Sequence, residues 1–118
     1  MKLAAAKLKR FRRKVKFDAI AFTGSSGAAL AYPISFLLGV PLICVRKSTK
    51  DNHSGLKLEG AVSASKYIIV DDFIQSGRTI NKINKAIKSR NEKANCIGIY
   101  LYNDGAINPP DFKGIKVI

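Results

Sequence analysis

Tyr67-Ile68-Ile69-Val70-Asp71-Asp72-Phe73-Ile74-Gln75-Ser76-Gly77-Arg78-Thr79-Ile80 changes character at Asp71. Before it, Tyr67 to Val70 is an unbroken β-branched and aromatic run, the pattern of a short strand buried on both faces. After it come small polar residues around one glycine, then Ile80, Ile83, Ala86 and Ile87 at helical spacing. The order predicts strand, tight loop, helix. Free loop amides and a helix N-terminus attract an anion. Gly77 lets the backbone approach it, Ser76 and Thr79 add hydroxyls, and Asp71 and Asp72 can accept hydrogen bonds from sugar hydroxyls. A ribose 5-phosphate answers that description. A plainer use of the same residues is also open, because Asp often ends a strand and Ser or Thr often caps a helix.

On the N-terminal side, Phe17 to Thr23 predicts another buried strand that runs into a Gly24-Ser25-Ser26-Gly27 loop and an Ala-rich helix to Leu38. Pro33 inside that helix predicts a kink or a delayed start, at about 3 kcal/mol if nothing compensates. Gly39-Val40-Pro41 is a turn, Leu42 to Val45 a further strand, and Ala94 to Tyr102 another. Repeated β-α-β units with right-handed connections predict an α/β protein, a small doubly wound parallel sheet with helices on both faces. Ligands of such sheets bind beyond the carboxyl ends of the strands. Gly24–Gly27, Arg46-Lys47 and Asp71–Thr79 should converge there.

Residues 46–65 have no clear periodicity and predict a long, flexible polar loop, a feature that is usually functional or disordered in a small domain. Its Lys47, Lys50, His53 and Lys57 suit a lid over polyphosphate, although a lone loop histidine is by itself an ordinary surface residue. Beyond the last long strand, Asn103-Asp104-Gly105 turns the chain and Ile115 to Ile118 predicts an edge strand.

With 118 residues and 47% hydrophobic content, the chain reads as one domain, 1–118, with one core. Its 21 Lys and Arg against 8 acids give a net charge of +13. Lys2, Lys7, Lys9, Arg10, Arg12, Arg13, Lys14 and Lys16 all precede the first acid, Asp18. Partners should be anionic. In residues 1–16, Ala4, Leu8, Phe11 and Val15 at helical spacing predict a basic amphipathic helix. It can be a packed helix with a solvated face, a contact for nucleic acid or an anionic surface, or an Arg-rich transit segment. Cys44 and Cys96 lie in apolar runs and read as buried thiols of a reduced compartment. Neither a membrane span nor a signal-peptide core is expected, so the chain reads as cytoplasmic.

Four apolar residues, two acids, three variable positions and Ser-Gly-Arg-Thr together resemble the 5-phosphoribosyl 1-pyrophosphate (PRPP) signature of type I phosphoribosyltransferases, and the likeness runs from residue 17 to about 102. Arg46-Lys47-Ser48-Thr49-Lys50-Asp51-Asn52-His53-Ser54-Gly55 looks like the loop of the orotate phosphoribosyltransferases with one residue inserted. Leu58-Glu59-Gly60 and the run into Asp71-Asp72 strengthen the likeness.

The resemblance implies Mg²⁺-PRPP and a nucleobase as substrates, with orotate first and a purine second; the net charge and the basic residues before Asp18 keep open a third reading, an inactive nucleic-acid-binding regulator of the same fold. It implies that Asp71 and Asp72 hold the ribose hydroxyls and are the candidates to touch the metal, and that Gln75, Ser76, Gly77, Arg78 and Thr79 hold the 5-phosphate. Thr23, Gly24, Ser25, Ser26, Gly27 and Arg46 would meet pyrophosphate, with Lys47, Lys50, His53 and Asp72 as the catalytic set. Loop residues shared between subunits imply a homodimer. Ser26 departs from the family's pyrophosphate-loop lysine, and the N-terminal hood that holds the base has no counterpart here. Gln75 stands where hypoxanthine-type enzymes carry an Asp, and Gln cannot ionise to act as a general base. Tyr100, Tyr102, Phe112, Asn103 and Asn108 could meet the base, but strand-end and turn roles suit them better.

Overall fold

The computed structural model describes residues 2–47, 56–74, 76–103 and 110–118. Lys50, His53, Gln75 and Asn108 lie outside the described residues. In chain order the elements are α1 (Lys2–Lys14), β1 (Ala19–Thr23), α2 (Gly24–Leu38), β2 (Leu42–Lys47), β3 (Leu56–Gly60), β4 (Lys66–Asp71), α3 (Arg78–Arg90), β5 (Asn95–Leu101), β6 (Asp111–Phe112) and β7 (Ile115–Lys116).

Five strands form one sheet in the order β3-β2-β1-β4-β5. β2, β1, β4 and β5 are parallel, and β3 runs antiparallel along β2. Alternation along the strands divides the core in two. Ile20, Phe22, Ile68 and Val70 face α1 and α2, whereas Ala19, Ala21, Tyr67 and Ile69 face α3. Helices therefore cover both faces, as the apolar runs require: a parallel strand exposed on either side would leave its Ile and Val in water.

Four expectations change. Gly24-Ser25-Ser26-Gly27 is the first turn of α2 and not a loop, because Thr23 is still extended (φ −142°) and the helix starts at the next residue. α2 runs through Pro33 to Leu38; Ala29, whose carbonyl loses its partner there, is exposed, so water can satisfy it. Within the loop expected over 46–65, Arg46 and Lys47 end β2 and Leu56–Gly60 is an edge strand whose Leu58 enters the α3-side core, while residues 48–55 lie outside the described residues. At its end, Gly60 has φ 103°, and a Cβ there would collide with the Leu42 carbonyl, so the close approach admits only glycine. The edge strand expected over Ile115–Ile118 forms only in part: β7 pairs with β6 in a two-residue hairpin, and Val117 makes a single parallel bridge to Ile99 at the edge of the sheet.

α1 is integral to the core. Ala4, Ala5, Leu8 and Phe11 are buried, and Leu8 is fully enclosed. Val15 falls beyond the helix and is exposed. Cys44 and Cys96 are free thiols but half-buried, because each lies towards an edge of the core. Burial pushes the Cys96 thiol up to about 12. No helix among the described residues is long and apolar enough to cross a membrane.

Candidate functional site

Parallel strands bring their carboxyl ends to one edge, and the segments that leave β1 and β4 open there on a shared cleft of about 490 Å³. Thr23, Gly24 and Ser26 line one wall, Asp71 and Asp72 the base, and Ser76, Gly77, Arg78 and Thr79 the other wall. Sequence-predicted residues of two separate segments, 23–26 and 71–79, thus meet in one place, while Arg46 of the third expected segment lines an adjoining hollow. A second hollow of about 470 Å³ adjoins it through Thr23, Gly24 and Lys82, and extends past Ser25, Tyr32, Cys44 and Arg46. Gly27 lies beneath the cleft, where its bare Cα lets α2 approach the sheet: a Cβ would stand 3.0 Å from that of Phe22 and 3.3 Å from the Val70 carbonyl.

The two acids differ. Asp71 is only 6% exposed; its Oδ1 accepts the Asp72 amide at 2.9 Å and the Ser26 hydroxyl at 3.5 Å. Burial, reinforced by the neighbouring Asp72, pushes its carboxyl up from the usual range to about 6. Asp72 is half-buried and accepts the Phe73 amide at 2.8 Å, which leaves further lone pairs towards the cleft. Of the pair, Asp72 is the more open to the cleft.

The turn ahead of α3 is partly self-satisfied. Ser76 Oγ accepts the Arg78 amide at 3.3 Å, and Gly77 takes a left-handed φ of 80°. A side chain at Gly77 would also collide with the Phe112 ring. The β6-β7 hairpin therefore braces the turn from outside, helped by Lys113 Nζ, which donates to Asn81 Oδ1 at 3.3 Å.

Thr23 is committed to structure. Its hydroxyl donates to the Val45 carbonyl at 2.6 Å and ties the ends of β1 and β2. Arg46 Nε lies 3.5 Å from Glu59 on β3, which also pairs with Lys57 at 3.7 Å. The β3 edge thus holds Arg46 over the second hollow. The backbone of Lys47 ends β2 beside it.

One contributor escapes the sequence reading, and another takes a specific structural role that it did not foresee. Lys82 lines both hollows; it lies one helical turn after Arg78, a spacing that would have placed it on the same side of α3. Tyr102 donates to the Ser26 carbonyl at 2.7 Å, so its ring is a strut and not a free stacking surface. Tyr100 is buried in the core and Phe112 packs on Gly77, which removes both as base platforms.

No cluster of three or more His, Cys, Asp and Glu occurs among the described residues. Two carboxylates in an open cleft, one of them nearly buried, fit a hard cation held mostly by ligand oxygens and water, the habit of Mg²⁺.

A family model described as PRTase-CE matches residues 1–117. An orotate phosphoribosyltransferase of Pyrobaculum islandicum is 32% identical over 77 residues, 64% of this chain and 40% of that protein. One of Pyrococcus abyssi is 26% identical over 123 residues, 99% of this chain and 66% of that protein. The chain spans less than half the length of the first of these curated relatives. Among solved structures, an adenine phosphoribosyltransferase of Thermoanaerobacter pseudethanolicus superposes with a TM-score of 0.64 at 22% identity, over 99% of this chain and 77% of that one. An orotate phosphoribosyltransferase of Aeropyrum pernix does so with a TM-score of 0.62 at 21% identity, over 73% and 48%. These likenesses give the fold.

Proposed function

The chain belongs to the PRTase-CE family, and on that premise we propose that it transfers the 5-phosphoribosyl group of PRPP to a nucleobase, with orotate as the base. One observation carries the reading: Asp72, the Ser76–Thr79 turn and the first turn of α2 open on the same cleft. A sugar, its 5-phosphate and a second phosphate group need those three features side by side.

In this reading the 5-phosphate lies on the amides of residues 75–79, where the α3 N-terminus favours negative charge. Asp72 accepts ribose hydroxyls, and Asp71 holds the strand end in register beneath it. Pyrophosphate occupies the second hollow against the α2 N-terminus, Arg46 and Lys82, with Lys47, Lys50 and His53 assigned to the same group. When the base nitrogen bonds to the anomeric carbon, the bond from that carbon to the pyrophosphate oxygen breaks. Positive charge develops on the sugar and negative charge on the leaving group. Arg46 and Lys82 face the latter, where prearranged cations act most strongly. Mg²⁺, bound chiefly by PRPP, would neutralise pyrophosphate charge.

Orotate is favoured by the Arg46–Gly55 pattern and by the names of the curated relatives. The test is to incubate the protein with Mg-PRPP and, separately, orotate, uracil, adenine, guanine, hypoxanthine and xanthine, reading nucleotides by mass spectrometry. Orotidine 5′-monophosphate is the expected product. A purine nucleotide alone would replace the base, and no nucleotide from any base would remove the transferase reading.

A further inference from the structure

We propose that the groove between the C-terminal half of α1 and the end of α2 binds the phosphodiester backbone of a nucleic acid. It is a hollow of about 510 Å³ whose walls are Lys9, Arg12, Arg13 and Lys16 and whose remaining lining is Leu37 and Leu38. Arg12 is fixed in place, its Nε donating to the Phe17 carbonyl at 3.2 Å and its guanidinium 5.5 Å from the Phe17 ring centre. Lys9, Arg13 and Lys16 are exposed around it.

Among the described residues, no ion pair compensates these cations. Neither α1 nor α2 contains an acid. The two ion pairs among the described residues, Arg46–Glu59 and Lys57–Glu59, both lie at the β2-β3 edge. The nearest acid in sequence, Asp18, is engaged by the Ser65 hydroxyl at 3.0 Å and the Lys66 amide at 3.3 Å. On the other flank of α1, Lys7, Arg10 and Lys14 meet Lys116 around a smaller hollow. The basic surface therefore continues across the helix.

Geometry separates this surface from the phosphoribosyl cleft and from a membrane role. Phe17 precedes β1, so the groove lies towards the amino ends of the strands, whereas the cleft lies at their carboxyl ends. A membrane-bound amphipathic helix needs a free apolar face, but Ala4, Ala5, Leu8 and Phe11 are spent in the core. What α1 offers to solvent is charge at short spacing, which suits a polymer of phosphates because each neutralised phosphate releases counterions.

Since Leu8 and Phe11 belong to the core, deleting residues 1–16 would test folding instead of binding. Exposed substitutions avoid this. Fluorescence anisotropy with a short labelled RNA and a DNA duplex of arbitrary sequence, at low and at physiological salt, should show binding that weakens steeply with salt. K9A/R13A/K16A and K9Q/R13Q/K16Q should each bind at least tenfold more weakly, and on the DNA duplex the slope of log affinity against log salt should shrink by roughly 2.7, about 0.9 for each lost phosphate contact. K85A/R90A/K93A removes the same charge from the opposite face and should bind as wild type; melting curves check that all three fold. Binding of either nucleic acid with that pattern supports the proposal. Equal loss in the control variant, no loss in the α1 variants, or binding to phosphatidylserine vesicles without binding to nucleic acid would overturn it.

Discussion

The Tyr102 hydroxyl donates to the Ser26 carbonyl at 2.7 Å, joining residues 76 positions apart. Tyr102 follows β5 and Ser26 lies in the first turn of α2, so the bond crosses the end of β4 and fixes the cleft wall above Asp71. The Tyr102 amide also donates to the Asp71 carbonyl at 3.1 Å. Tyr102→Phe should lower stability by about 1 kcal/mol, the usual net worth of one such bond, and weaken PRPP binding by loosening the α2 turn. Urea denaturation and calorimetry check both. An unchanged midpoint with unchanged affinity would show the bond to be incidental.

Gly77 is required twice, for its left-handed φ and because a Cβ would meet the Phe112 ring. Gly77→Ala should therefore cost more than the ~1 kcal/mol typical of a positive-φ site alone. Adding Phe112→Ala should recover the steric part, so the double variant would be more stable than the sum of the single changes. Strict additivity in a denaturation cycle would contradict the packing.

Asp71 sets a pH dependence of known sign. Its folded carboxyl titrates near 6, above its usual range, because it is buried and faces Asp72. The folded state then binds the proton more tightly than the unfolded chain, so this group's contribution is present in full below about pH 4 and is lost as pH rises towards 6. Asp71→Asn should flatten that limb of the stability curve, by on the order of 3 kcal/mol at most. Urea midpoints for both proteins between pH 4 and 7 decide it; parallel curves would contradict the assignment.

The parts of the fold that can be read from sequence are those with one dominant signal. Tyr67–Val70 can only be a buried strand, and the switch at Asp71 marks a turn and helix that the structure places as expected. Leu56–Gly60 escapes notice because one inward leucine within a polar stretch is too weak a pattern, and β3 depends on pairing with β2. Composition misleads at Gly24–Gly27 as well. Glycine and serine there suggest a loop, yet Gly24 turns the chain with a left-handed φ of 69° and the helix begins at once. The convergence of Asp72, Ser76 and Thr79 on one cleft is legible because a strand, tight loop and helix in that order must bring them together. Lys82 and the Tyr102 strut are not, since their roles come from which elements the sheet brings side by side.

Leu8 is fully enclosed between α1, α2 and the sheet. Leu8→Ala should destabilise the protein by about 3–5 kcal/mol, the cost of a buried leucine and its cavity. Thermal or urea unfolding will read it, and a loss below about 1 kcal/mol would mean that α1 is only loosely docked.

In the proposed PRPP site, Asp72 receives the ribose hydroxyls and the Ser76–Thr79 turn receives the 5-phosphate. Isothermal titration of Mg-PRPP into wild type and Asp72→Asn, with matched melting curves to check folding, tests that arrangement most directly. Saturable binding by wild type and at least tenfold weaker binding by Asp72→Asn is the predicted result. No binding by wild type, or equal affinity for both proteins, would contradict it.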